Sequence, residues 1–167
     1  MFVNYNSDKM KILFNSGLTA LALAVLLTYS GCGPDPVEPT VEEVQLGKLT
    51  GTWAVAGGGN VTRDNVSKST EYANFELDLA GTAGSTTFTY VTRDRETPSP
   101  WPADGTWKFG GSPETVVIRD PDSADSIEMM YTVTDSILEI TFTFSNANGY
   151  SRTKQVTGTW VFTLKKQ

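Results

Sequence analysis

From Ile137 to Ser145 the chain alternates with a period of two. Leu138, Ile140, Phe142 and Phe144 share one parity, while Glu139, Thr141 and Thr143 share the other with Ile137. Successive side chains of a β-strand point to opposite faces, so this segment buries one face and wets the other. That is the pattern of a half-buried antiparallel strand. Ile127, Met129, Tyr131 and Val133 repeat it. So do Trp160, Phe162 and Leu164 within 156–165. Asp135-Ser136 joins two of these runs tightly, as a hairpin would.

The same reading predicts eight strands, over residues 47–56, 70–80, 85–93, 104–110, 114–120, 126–134, 136–146 and 154–166. Turn chemistry separates most of them: Gly57-Gly58-Gly59-Asn60, Ala80-Gly81-Thr82, Gly110-Gly111-Ser112-Pro113 and Asn146-Ala147-Asn148-Gly149. Short connections favour neighbour-to-neighbour antiparallel pairing. The fold class is therefore all-β, an eight-stranded antiparallel up-and-down barrel that removes exposed edges by closing on itself. A two-sheet sandwich is the competing architecture. Residues 60–69 are polar and are expected as a long loop or a short helix.

The N-terminus reads differently. Lys9 and Lys11 precede a mostly apolar run from Ile12 to Leu27, followed by Tyr29-Ser30-Gly31-Cys32. Charge, apolar core and small residues before a cleavage point make a secretory signal over 1–31. The run is about 16 residues, short of the roughly 20 needed to span a bilayer. Ser30-Gly31-Cys32 resembles the lipobox of bacterial lipoproteins. The resemblance implies that Cys32 is acylated, becomes the new N-terminus and anchors the chain to a membrane. Cys32 is the only cysteine, so no intrachain disulfide can form. Residues 32–45 follow as a tether with prolines at 34, 36 and 39, and 46–167 form the domain. Of 13 basic and 19 acidic residues, Lys9, Lys11 and Asp8 precede Cys32, leaving 11 and 18 and a net charge of -7. With no basic patch, nucleic acid is not an expected partner.

Gly-Thr-Trp occurs three times, at 51–53, 105–107 and 158–160. The glycine lets the chain bend at a strand start and the Trp then points inward. Leu49-Thr50-Gly51-Thr52-Trp53, opening an eight-strand meander, resembles the Gly-x-Trp signature of the lipocalin first strand. The later order is similar too: Gly-Thr-Trp, a Tyr-Thr-Val strand, Leu-x-Ile-x-Phe and a closing Gly-Thr-Trp strand. The chain looks like the lipocalin-like lipoproteins of Gram-negative envelopes. That resemblance implies an outer-membrane location and a barrel that binds a small molecule.

Eleven aromatics fall on inward positions: Trp53, Phe75, Phe88, Tyr90, Trp107, Phe109, Tyr131, Phe142, Phe144, Trp160 and Phe162. Aliphatics including Val116 and Ile118 join them. Rings of ~150–250 Å² each would close much of an eight-strand lumen. A small or partial pocket is expected, with Trp53, Tyr90, Trp107, Tyr131 and Trp160 as candidate ligand-binding residues.

Other features carry less. Asp120, Asp122 and Asp125 share one loop and could offer oxygens to calcium, but they lack EF-hand spacing. A solvated acidic turn explains them, and no metal or cofactor is expected. The Pro-rich loop from Arg93 to Asp104 holds Trp101, which either contacts a sugar or protein at the surface or plugs one end of the barrel. Asp-Ser dipeptides at 122–123, 125–126 and 135–136 resemble a short O-glycosylation sequon of Gram-negative envelope proteins, and are ordinary turn residues as well. There is no histidine and no nucleophile–base pair, so the chain is not expected to be an enzyme. Glu128 and Glu139 fall on the outer face. Two readings follow: a lipid-anchored barrel binding a small apolar or amphipathic molecule, or an envelope interaction module for glycan or protein.

Overall fold

The computed structural model describes residues 38–145 and 156–167. The expected signal peptide, Cys32, the first part of the tether and the turn at 146–149 lie outside the described residues.

One helix opens the described chain, α1 (Val41–Leu49). Ten strands follow: β1 (Gly51–Ala54), β2 (Asn60–Arg63), β3 (Val66–Ser67), β4 (Glu76–Ala80), β5 (Phe88–Arg93), β6 (Asp104–Phe109), β7 (Val116–Arg119), β8 (Ile127–Val133), β9 (Ile137–Phe144) and β10 (Gly158–Lys166). From β4 to β10 each strand pairs antiparallel with the next. β1 pairs with β4 on one side and with β10 on the other. Eight strands thus close into the expected up-and-down barrel. The alternation that predicted it is visible in burial: every second residue of β5 is buried, from Phe88 to Thr92.

β1 and β2 both run along β10. From Ala54↔Lys165 to Asn60↔Thr163 the first strand advances six residues while β10 moves two. Four extra residues therefore bulge out between them. Glycine is required there: a Cβ on Gly59 would lie 2.6 Å from the Thr163 carbonyl oxygen. Beyond the bulge β2 turns back into β3 through Asp64 and Asn65, both at positive φ (50° and 64°). Two such residues make the two-residue hairpin turn whose twist matches its strands. Residues 60–67 are thus a hairpin, not the loop or helix expected over 60–69.

Two further expectations are corrected. Residues 47–49 belong to α1, not to the first strand, and the last tether residues are helical. Thr40 accepts a hydrogen bond from the Glu43 N–H, while the Glu43 carboxylate accepts from the Thr40 N–H (2.8 Å). This capping box satisfies donors that the first turn leaves open, and Leu46 and Leu49 turn into the core. In β7, Val117 and Arg119 point inward, not Val116 and Ile118. Directly paired residues share a face. Trp107↔Arg119 and Val117↔Met129 tie the phase of β7 to side chains that are already inside.

The strand over 70–80 begins only at Glu76. Tyr72 and Phe75, in the turns before it, are buried nonetheless, and Phe109 and Phe144 are only partly covered.

Two of the three Gly-Thr-Trp copies fold into one local device. Gly51 (φ 129°) precedes Trp53, and Gly158 (φ 143°) precedes Trp160. Each indole N–H donates to the carbonyl four residues back, Leu49 and Val156, at 2.7 Å. A cation covers each ring: Lys166 at 5.1 Å from the Trp53 centroid, and Arg63 at 5.8 Å from that of Trp160. The third copy differs. Trp107 donates to the Thr89 carbonyl on the neighbouring strand.

Candidate functional site

The barrel is stoppered at both ends. α1 covers the end where β5 begins, with Leu46 beside Gly81 and Phe88. The segment 94–103, joining β5 to β6, covers the other and folds Trp101 into the lumen.

Trp101 is 2% exposed. Its ring meets Tyr90 and Phe142 edge-on, with centroids 5.6 Å away in both cases. It is therefore a plug, and the surface-contact reading of Trp101 is overturned: a side chain sealed in the lumen cannot meet a glycan or protein outside. Thr92 holds the segment down by donating through its hydroxyl to the Pro102 carbonyl (2.6 Å).

Arg119 is the residue that sequence reasoning missed. It is 1% exposed, and its guanidinium lies 5.2 Å over the Trp101 ring. Nη1 donates to the Pro100 carbonyl at 2.8 Å. Nε sits 3.3 Å from an Asp120 oxygen, close enough for an ion pair but off the line of a hydrogen bond. Burial lowers the Arg119 pKa, and the neighbouring Tyr90 and Asp120 push it the other way.

Asp120 is engaged on both oxygens. It accepts from the Tyr90 hydroxyl at 2.9 Å and from the Thr106 N–H at 3.1 Å. Its backbone adopts φ 49°, a left-handed conformation that Asp tolerates better than most residues. Burial, then the hydrogen bond to Asp120, raises the Tyr90 pKa. Tyr131 donates its hydroxyl to the Pro113 carbonyl, and burial followed by nearby Glu114 raises its pKa as well.

Between the two stoppers remains an apolar cavity. The space open to the centre of a water-sized sphere is about 20 Å³, enough for roughly one water by volume. Tyr90, Trp107 and Tyr131 wall it, with Trp101 and Arg119 at one side and Leu49 of α1 at another. The ring count predicted a small pocket, and this one is small. Of the five candidate ligand residues, the structure gathers these three. Trp53 and Trp160 are buried elsewhere in the core.

No family model, no curated protein and no solved structure gives a significant match to the chain.

Among the described residues no three Asp, Glu or Cys side chains are placed to hold a metal ion. Asp122 and Asp125 are exposed, and Asp120 turns to Tyr90, Thr106 and Arg119 instead. Ser123, Ser126 and Ser136 of the Asp-Ser pairs are exposed, and Glu128 and Glu139 face outward.

Two sequence signals could have exposed the site. Pro-Trp-Pro in a long connection suggested a rigid plug. Trp107 and Met129, assigned inward, imply an inward Arg119 once strand register is imposed.

Proposed function

We propose that this chain is a lipid-anchored, lipocalin-like lipoprotein of the Gram-negative outer membrane, and that its barrel binds one small apolar or amphipathic molecule without catalysing a reaction. The observation that carries the binding reading is the origin of Trp101. Every other large side chain around the cavity comes from a strand or from α1, whereas Trp101 is delivered by an irregular connection. Its indole nitrogen is buried with no hydrogen-bond partner. A ring held this way can withdraw without breaking the barrel ladders. Its withdrawal would join its own volume to the cavity beside it.

Binding then requires opening. The apparent affinity is the intrinsic one reduced by the fraction of molecules with the loop withdrawn. The anchoring reading is supported by Ser30-Gly31-Cys32 after a positive and apolar leader. Several acyl chains hold a protein stably, at about 0.8 kcal/mol per buried CH₂.

Native mass spectrometry of protein extracted from membranes tests both halves together. The expected result is an acylated Cys32 at the N-terminus and a non-covalent small-molecule adduct. An unmodified Cys32 would overturn the anchor. Absence of any adduct, with no binding of added apolar compounds, would overturn the ligand.

A further inference from the structure

Pro100 and Trp101 give Arg119 two things at once. The Pro100 carbonyl accepts from Nη1 at 2.8 Å, and the Trp101 ring lies 5.2 Å below the guanidinium. Both belong to the same loop, so both leave together when the loop withdraws. What remains is a buried cation facing an empty slot shaped for a flat ring.

We propose that this slot binds a small aromatic carboxylate, and that the Pro100–Trp101 segment is its internal stand-in. The proposal rests on the binding reading above and names the ligand class. Three features support it.

The first is shape. Around the indole, Tyr90 and Phe142 present edge-on rings, at interplanar angles of 74° and 83°. Edge-to-face walls favour a planar aromatic occupant over a flexible alkyl chain. The cavity beside the indole adds room for a substituent.

The second is charge. Arg119 Nη1 faces only a neutral carbonyl. The nearby carboxylate of Asp120 meets Nε without a hydrogen bond, and is shared with Tyr90 and Thr106. Asp120 also lies nearer solvent, its side chain 16% exposed against 1% for Arg119. A ligand carboxylate in place of the Pro100 carbonyl would put opposite charges at both ends of the hydrogen bond, making it stronger than the bond to a neutral oxygen that it replaces.

The third is the imperfect fit of the stand-in. The Trp101 indole N–H is buried without an acceptor. An unpaired buried donor destabilises the closed state and favours exchange with a better occupant.

Calorimetric titration of the full chain tests this with three probes. Indole-3-acetate has ring and carboxylate, 3-methylindole has the ring alone, and decanoate has the carboxylate on an alkyl chain. The Trp101→Ala variant removes the competing ring. It is expected to bind indole-3-acetate at least tenfold more tightly than the parent protein does, and at least tenfold more tightly than it binds either other probe. Adding Arg119→Met should erase the preference over 3-methylindole while leaving 3-methylindole binding in place.

Equal binding of the two indoles, or tighter binding of decanoate, overturns the aromatic carboxylate while the interior-binding reading stands. If no probe binds and membrane-extracted protein carries no adduct, both readings fall. If Trp101→Ala does not fold, Trp101→Leu keeps part of the packing and carries the same comparison.

Discussion

The guanidinium of Arg119 lies 5.2 Å over the indole of Trp101, and both side chains are sealed inside the barrel. A cation so deep depends on its neighbours. Removing one member of a buried charge pair, or a large core side chain, costs about 3–5 kcal/mol. Arg119→Ala is expected to lose stability in that range by chemical denaturation. Arg119→Met, which keeps the apolar stem, should lose less. Equal losses for the two would mean that the stem contributes nothing to packing.

Three glycines should respond to alanine with different signs. Gly47 is helical, and a Cβ there meets nothing within 4 Å, so Gly47→Ala should stabilise by about 0.5–1 kcal/mol. Gly51→Ala should destabilise, because φ is 129° and such strain costs of order 1–3 kcal/mol. Gly158→Ala should cost more than Gly51→Ala, since its Cβ would also run into the Asp64 carboxylate. Thermal melts of the three proteins rank them.

The buried phenols predict a loss of stability at alkaline pH. Tyr90, Tyr131 and Tyr72 all have raised pKa values, with burial as the leading cause. Below a pH of about 10 both folded and unfolded chains hold these protons. Above it the unfolded chain releases them first, so stability falls as pH rises, by up to about 1.4 kcal/mol per pH unit for each phenol. Denaturation midpoints measured from pH 9 upward should show this decline. Replacing Tyr90 and Tyr131 with Phe should flatten it, and an unchanged slope would refute the assignment.

The capping box that starts α1 also secures one stopper. Thr40→Ala removes the acceptor for the Glu43 N–H, a change worth about 0.5–2 kcal/mol. Hydrogen exchange should quicken through α1, with the amides of β8 and β9 little affected. Faster exchange in those strands would mean that the helix is needed to hold the barrel wall.

Most of the wall was legible in the sequence. In β8, β9 and β10 apolar residues keep one parity over many positions, and only a strand buries such a set on one side. The phase of β7 is ambiguous in sequence because Val116, Val117 and Ile118 are apolar in both parities. Trp107 and Ile127, which pair with Arg119, decide it, and pairing is not visible in a segment read alone.

The hairpin of β2 and β3 hid for another reason. Asn60, Thr62 and Ser67 give it no apolar stripe, and the telling signal is the Asp64-Asn65 turn. Thr40-x-x-Glu43 likewise announced α1, but lay in a stretch read as tether. Of the site, the ring-lined interior was legible and its occupant was not. Whether Trp101 enters the lumen depends on the fold of a ten-residue connection that carries no periodicity.

The seam between β1 and β10 joins Trp53 to Lys166, and the Gln167 N–H donates to the Thr52 carbonyl at 3.0 Å. The two sides of the seam are more than a hundred residues apart. A growing polypeptide therefore cannot complete this tertiary structure until β10 is available. Until then it is an open ribbon with two unsatisfied edges, slow to mature and prone to mispair with other chains. The barrel therefore closes only once β10 has joined both β9 and β1.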